Sequence, residues 1–287
     1  MRTLGIAAIQ TAPVPGDLEA TFQRFETQVR SAAHLFPHVQ LVVVPELLLA
    51  AEGPLLAAPG PSPEELAQPI PGALTDRLAK LARDVGRWLV PGSIYEAGDD
   101  GHVYNTTVVL SPEGEIVARY RKIFPWHPYE HTTPGRDCTV FEIPGVGRVG
   151  LAICYDGSFP EVFRQLAWSG AEVVLQPTLT STRDRDMELV TARANAWTNQ
   201  VFIVNVNASD PCGVGQSAIV DPEGTVRQQA GVGEEVLVDV LDLDAVTQVR
   251  ATGGQGLNRP WQSLIEHGPR LRFPMYADGA LHPPPWA

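Results

Sequence analysis

The sequence predicts an α/β protein, a four-layer α-β-β-α sandwich with an internal pseudo-twofold repeat and a C-terminal arm. Two observations carry this expectation. Short apolar runs of strand length alternate with longer stretches of helical period along most of the chain. Segments also recur in order: Ile6-Ala-Ala-Ile-Gln10 matches Leu151-Ala-Ile-Cys154, Leu41-Val-Val-Val-Pro45 matches Val173-Val-Leu-Gln-Pro177, and Asn105-Thr-Thr-Val-Val-Leu-Ser-Pro-Glu-Gly114 matches Gly215-Gln-Ser-Ala-Ile-Val-Asp-Pro-Glu-Gly224. Each half therefore reads β-α-β-α-β-β. A sheet with helices on one face leaves its other face apolar, and two such sheets bury those faces against each other.

The elements follow in order. Residues 4–9 read as a strand, 17–33 as a helix opened by an Asp cap, and 40–44 as a strand that stops at Pro45-Glu46. Residues 50–72, rich in Pro, Gly and Ala, read as a surface excursion. A helix over 73–85 precedes strands over 88–95, 103–110 and 115–120, the last two joined by the turn Ser111-Pro-Glu-Gly114. Strands at 139–143 and 148–153, a helix at 159–168, a strand at 172–176, a helix at 185–199 and a strand at 201–207 lead to a final hairpin over 216–220 and 225–229. The domain is expected to span 1–240. An extended arm over 241–287, with Trp261, Leu264 and Phe273 and a Pro-rich end at 282–287, would be buried on another subunit or wrap its own domain.

The formal net charge of −12 and the absence of Lys/Arg blocks argue against nucleic acid and acidic membrane surfaces as partners. No stretch approaches the ~20 apolar residues of a membrane span. Three scattered cysteines, Cys138, Cys154 and Cys212, make neither a disulfide framework nor a zinc spacing, so a reducing, cytoplasmic setting is expected.

Chemistry gathers at strand ends, where α/β sheets place it. Cys154 follows the strand ending at Ile153 and stands before the turn Asp156-Gly157-Ser158 and a helix, whose first N–H groups favour a thiolate or an oxyanion. Glu46 also stands at a strand end, and Lys122 leaves a hairpin into the apolar loop Ile-Phe-Pro-Trp126-His-Pro-Tyr-Glu130. Singly, these are a small core residue, a surface carboxylate, a solvated lysine and a helix cap. Jointly they supply what acyl transfer needs: a nucleophile, a base, and a cation for the oxyanion.

The motifs Val-Val-Val-Pro-Glu46, Tyr-Arg-Lys122 and Gly150-Leu-Ala-Ile-Cys-Tyr-Asp156 resemble, in order and spacing, the three signatures of the nitrilase-type carbon–nitrogen hydrolases. The resemblance runs over about residues 4–240 and includes Ala192-Arg193-Ala194. It implies Cys154 as nucleophile, Glu46 as general base and later acid, and Lys122 with the Tyr155 backbone N–H as oxyanion site. Glu130 would orient Lys122 and the substrate nitrogen. No metal or cofactor is implied, and a homodimer or higher homo-oligomer is. Members that take N-carbamoyl amino acids place arginine just after the nucleophile, whereas Gly157 and Ser158 stand here, which argues against an acidic substrate. The Lys122–Glu130 loop, the run around Gly157 and Asn195-Ala-Trp197 are similar to the aliphatic amidase and formamidase branch. That branch takes small neutral carboxamides, with Trp126, Tyr129 and Phe159 as pocket walls, although Trp126 serves equally as loop packing and His131-Thr-Thr133 departs from that branch. The leading expectation is an amidase working through a cysteine thioester and releasing ammonia. Competing readings are a nitrilase, a pathway-specific amide or N-carbamoyl hydrolase, and a catalytically silent sandwich used as a binding module.

Overall fold

The computed structural model describes residues 1–53 and 60–279. One sheet holds β1 (Thr3–Gln10), β2 (Leu41–Val43), β3 (Trp88–Val90), β4 (Ile94–Ala97), β5 (Val103–Leu110) and β6 (Ile116–Arg121). The other holds β7 (Thr139–Ile143), β8 (Gly147–Leu151), β9 (Val173–Thr178), β10 (Phe202–Asn207), β11 (Ala218–Val220) and β12 (Val226–Gln229). A last strand, β13 (Glu235–Asp242), returns to the first sheet. The helices are α1 (Leu18–Leu35), α2 (Pro63–Leu66), α3 (Ala73–Val85), α4 (Pro160–Trp168), α5 (Asp184–Asn199), α6 (Leu243–Thr252) and α7 (Pro260–His267).

Alternation along the strands builds the expected four layers. Leu4, Ile6, Ala8, Leu41 and Val43 of the first sheet meet Val149, Leu151, Val173 and Leu175 of the second in one core. The intervening Ala7, Ile9 and Val42 face Phe22, Phe25, Val29, Leu78 and Leu81 of α1 and α3. On the far side Val174 and Ile203 face Phe163, Leu166, Ala192 and Ala196 of α4 and α5. Period 2 in the strands and 3.6 in the helices thus sort most of the buried apolar residues into three interfaces. Asp17 caps α1 by accepting from Ala20 N–H at 2.9 Å.

The repeat is visible in the strand order. Parallel neighbours β1-β2-β3 continue into antiparallel β5, and parallel β8-β9-β10 continue into antiparallel β11. Each sheet also has an antiparallel strand outside its first parallel one, β13 on β1 and β7 on β8. The strand at 235–242 is not among those the sequence predicts. That strand pairs with β1, and α6 after it has Leu243 and Val246 fully buried in the core between the sheets.

Two further expectations change. The strand expected over 88–95 is two, because the chain breaks at Pro91-Gly92: Gly92 has φ +74°, and a Cβ there would lie 1.7 Å from the Pro45 carbonyl oxygen. The break lets the backbone pass against Pro45-Glu46. The C-terminal arm is not extended but helical in α6 and α7. It lies on its own domain at Trp261, whose indole N–H donates to Asn199 O at 3.0 Å beside the Arg164 guanidinium. Leu264 and Phe273 remain exposed. The Pro-rich end at 282–287 and residues 54–59 of the excursion lie outside the described residues. Among the described residues no helix is long and apolar enough to cross a membrane.

Candidate active site

The carboxyl ends of β1, β2, β8 and β9 meet at one end of the sandwich, and the halves touch there directly. Glu46 N–H donates to the Thr178 carbonyl at 3.3 Å, joining the two positions that the repeat pairs. Glu46 is followed by Leu47 at φ +50°, a left-handed turn whose N–H is held by Ser93 Oγ at 3.2 Å. The side chain of Glu46 is thereby set facing inward, 3% exposed.

Lys122 leaves β6 with its backbone N–H on Asn105 O (2.8 Å), and its ammonium is buried. Nζ donates to Glu46 Oε1 at 2.9 Å and to Glu130 Oε2 at 2.6 Å. The loop of prolines and aromatics turns tightly enough to return Glu130: its Oε2 accepts from Trp126 N–H at 2.9 Å, and its Oε1 from Thr132 Oγ1 at 2.9 Å. Asn105, on β5, donates from Nδ2 to Glu46 Oε1 (2.8 Å) and Glu130 Oε1 (2.9 Å), tying both carboxylates.

Cys154 stands three residues past β8, not at the start of a helix. A 3₁₀ turn, Cys154–Ser158, comes first, and Cys154 itself has φ +46°, a strained conformation for a side chain with a Cβ. Its surroundings hold it there. Gln176 Nε2 donates to Cys154 O at 2.9 Å, and Asp156 accepts from Ile153 N–H at 2.9 Å. The same Asp156 carboxylate accepts from the Tyr120 hydroxyl at 2.6 Å and from Phe124 N–H at 2.9 Å. It therefore couples the cysteine turn to both flanks of Lys122. Gly157 passes so close to Gln176 that a Cβ would lie 2.2 Å from Nε2.

Burial and charge set the protonation states. Burial lifts the Glu46 carboxyl above its ordinary range; the Lys122 charge opposes this and the Glu130 charge adds to it. Burial opposes ionisation of Glu130 too, but the Lys122 ammonium with the Trp126 and Asn105 donors holds its pKa below the usual range. For Lys122 burial disfavours the charge, yet the surrounding Glu46, Cys154 and Glu130 raise its pKa well above normal. The Cys154 thiol is pushed well up by burial and by the Glu46 charge, against the pull of Lys122. The Glu46 and Cys154 shifts both favour the protonated groups, so burial opposes the preformed thiolate that a helix N-terminus would favour.

Glu46, Lys122, Glu130 and Cys154 line one cavity of about 450 Å³, with Trp126, Tyr129 and Tyr155 on its wall. The Trp126 and Tyr129 rings lie 4.7 Å apart, and Tyr129 is 68% exposed at the rim. Phe159 is a correction: it stands outside this lining, stacked on Phe124 with ring centroids 3.6 Å apart and edge-on to Tyr155 at 5.2 Å. Sequence reasoning assigns no role to Asn105, Asp156 or Thr180. Thr180 Oγ1 lies 3.9 Å from Cys154 Sγ and donates to Glu188 Oε1 at 2.7 Å. Two of them stand in segments that the sequence does mark, Asn105 opening a repeated segment and Asp156 closing the cysteine signature.

Comparison with known proteins gives a consistent answer. The family model for carbon-nitrogen hydrolase matches residues 5–251. A formamidase of Bacillus cereus is 30% identical over 234 residues, covering 78% of this chain and 69% of that protein, and a formamidase of Bacillus anthracis matches to the same extent. Among solved structures, Saccharomyces cerevisiae Nit3, a member of branch 10 of the nitrilase superfamily, superposes with a TM-score of 0.77 at 26% identity, over 87% of this chain and 94% of that one. An amidase from Nesterenkonia sp. superposes with a TM-score of 0.74 at 27% identity, over 86% and 94%. With the acid, lysine and thiol gathered on this sandwich, the chain belongs to the carbon-nitrogen hydrolase family.

Proposed function

We propose that this protein is an amidase that hydrolyses small carboxamides without an acidic group to the acid and ammonia through a Cys154 thioester. The observation that carries the reading is the buried Lys122 ammonium held between two carboxylates in the cavity that also holds the thiol. Likeness to formamidases, and to an amidase whose active-site cysteine takes the acetamide moiety of fluoroacetamide covalently, supports it.

In the first half-reaction the Cys154 thiol loses its proton to Glu46 as Sγ bonds to the amide carbon. The oxyanion that forms is met by the Lys122 ammonium and the Tyr155 backbone N–H. Glu46 then gives its proton to the amide nitrogen, the C–N bond breaks, and ammonia leaves a thioester on Cys154. In the second half Glu46 takes a proton from water, hydroxide adds to the thioester carbon, and the acid departs as the thiol is reprotonated. The upward shifts of Glu46 and Cys154 suit this exchange, because the proton moves between two groups that both bind it well in the dry site. Glu130 acts by holding Lys122 and facing the substrate nitrogen.

Ammonia release from formamide, acetamide, propionamide and longer amides, with Cys154→Ala as control, tests the reading. Turnover that vanishes in the variant supports it; silence across the panel, or equal release by the variant, overturns it. We further infer a homo-oligomer, supported by the exposed row Met187, Val190 and Trp197 on α5 and by the exposed Trp168, and a cytoplasmic setting, supported by three unpaired cysteines. Sedimentation velocity and cell fractionation check these.

A further inference from the structure

The cavity before Cys154 carries more negative charge than the reaction uses. Five of its lining residues are carboxylates, Glu46, Glu52, Glu130, Asp184 and Glu188, against one cation, Lys122. Lys122 is engaged by Glu46 and Glu130, and Glu188 is paired from behind by the buried Arg185 at 3.0 Å. Asp184 is exposed at the mouth, where its carboxylate accepts from Thr182 Oγ1 at 2.9 Å.

Glu52 differs from all of these. Its Oε1 accepts from the Tyr95 hydroxyl at 2.5 Å, and among the described residues no lysine, arginine or histidine lies within 4.0 Å of its carboxylate. Burial pushes its pKa up, the Tyr95 hydrogen bond opposes this, and the nearby Glu130 charge adds to it. A half-buried carboxylate facing a cavity without a counter-charge is stabilised by a ligand that brings one.

The size of the cavity says where that charge would sit. A volume of about 450 Å³ exceeds what formamide or acetamide fills, within the ordinary range of ligand sites of about 300–1,000 Å³. In a primary carboxamide the nitrogen departs as ammonia, so every further substituent lies on the acyl side. We propose that Glu52 is a specificity residue for the acyl chain and that the preferred substrates are ω-amino carboxamides, the ammonium meeting Glu52 while the carboxamide meets Cys154. This rests on the amidase reading and departs from the expected neutral substrate. An alkyl tail leaves the Glu52 carboxylate unpaired, and an acid tail is repelled by it.

The test is kcat/KM of the full-length enzyme for 4-aminobutanamide, its neutral isostere pentanamide, 4-hydroxybutanamide and the anionic 4-carbamoylbutanoate. The expected result is at least a tenfold preference for the amine over pentanamide, with the anion poorest. Glu52→Gln should reduce that preference at least tenfold and Glu52→Asp should retain most of it, which separates lost charge from lost folding. Equal use of the amine and pentanamide, a preference for the hydroxyl or the acid, or an unchanged preference in Glu52→Gln overturns the proposal and leaves the amidase reading standing. Silence on all four, with no turnover of short amides either, overturns both.

Discussion

The two halves of the sandwich present equivalent strand ends to one site and put them to opposite uses. Gln10 ends β1 and Cys154 follows β8, in matching places, yet the Gln10 amide is fully engaged. Its Oε1 accepts from Ser217 N–H and Oγ at 2.8 and 2.7 Å, and its Nε2 donates to Gly231 O at 2.8 Å. Cys154 Sγ has weaker partners among the described residues, Thr180 Oγ1 at 3.9 Å, Glu46 and the Leu179 backbone, and it lines the cavity. Glu46 and Thr178 repeat the contrast at the next strand end: Thr178 is spent on Asn207 Oδ1 at 3.1 Å, while Glu46 points at Lys122. A scaffold position becomes reactive when its polar atoms are left without structural duties.

Substitutions on the two sides of this comparison should separate cleanly. Cys154→Ala should lower kcat by about 10,000-fold or more, as removal of a nucleophile does, with the melting temperature kept. Gln10→Leu strands the Ser217 N–H and should cost about 1–3 kcal/mol of stability in denaturant unfolding without lowering kcat. If Gln10→Leu abolishes turnover while leaving stability intact, the division between reactive and structural ends is wrong.

Lys122→Met should hurt in both currencies. It removes the proposed oxyanion cation, worth about 100- to 1,000-fold in kcat, and leaves the Glu46 and Glu130 carboxylates without their shared cation, costing about 3–5 kcal/mol. Asn105→Leu withdraws a donor from both Glu46 and Glu130 and should reduce kcat by about 10- to 100-fold, matching roughly 1–3 kcal/mol per unsatisfied buried acceptor. Steady-state kinetics with a melting curve on each protein would show whether Asn105 belongs with the site or with the frame.

The smallest effects lie in the pH profile. In the proposed mechanism Glu46 must be ionised to accept the thiol proton, and burial raises its pKa, so kcat/KM should fall on acidification at a pH above the ~4.3 of an ordinary glutamate. Glu130, shifted the other way, stays charged through that fall. Alkylation of Cys154 by iodoacetamide should rise with a midpoint above the ~8.5 of a free thiol, and Glu46→Gln should lower that midpoint by removing a nearby negative charge. A midpoint below the free-thiol value in the unaltered enzyme would mean a preformed thiolate.

Much of this was legible in the residues. The four layers follow from apolar periodicity and a repeated segment order, and Glu46, Lys122, Glu130 and Cys154 stand at strand ends or in an apolar loop where charge is conspicuous. Other features depend on partners distant in sequence. Strand β13 mixes Asp and Glu with Val and Leu because it is an edge with one face half exposed, so its alternation is blurred. Asn105 and Asp156 look like ordinary strand and turn residues until the fold brings them to Glu46, Glu130 and Tyr120. Phe159 offers the same aromatic surface to a pocket or to Phe124, and only packing decides. The thiol's protonation could not be read from a turn, since burial outweighs whatever the next backbone turn supplies.

Strand β13 also bears on how the chain is made. It pairs with β1 residue for residue, Thr3 with Asp242 through Gln10 with Glu235, across more than two hundred residues. At a synthesis rate of about 5–20 residues per second, β1 waits roughly 10–45 s before the partner for its outer edge leaves the ribosome. Until then a strand rich in Leu, Ile and Ala offers unpaired backbone groups to any other nascent chain. Cutting the gene before residue 235 would make that interval permanent, and aggregation of the truncated product is its expected sign.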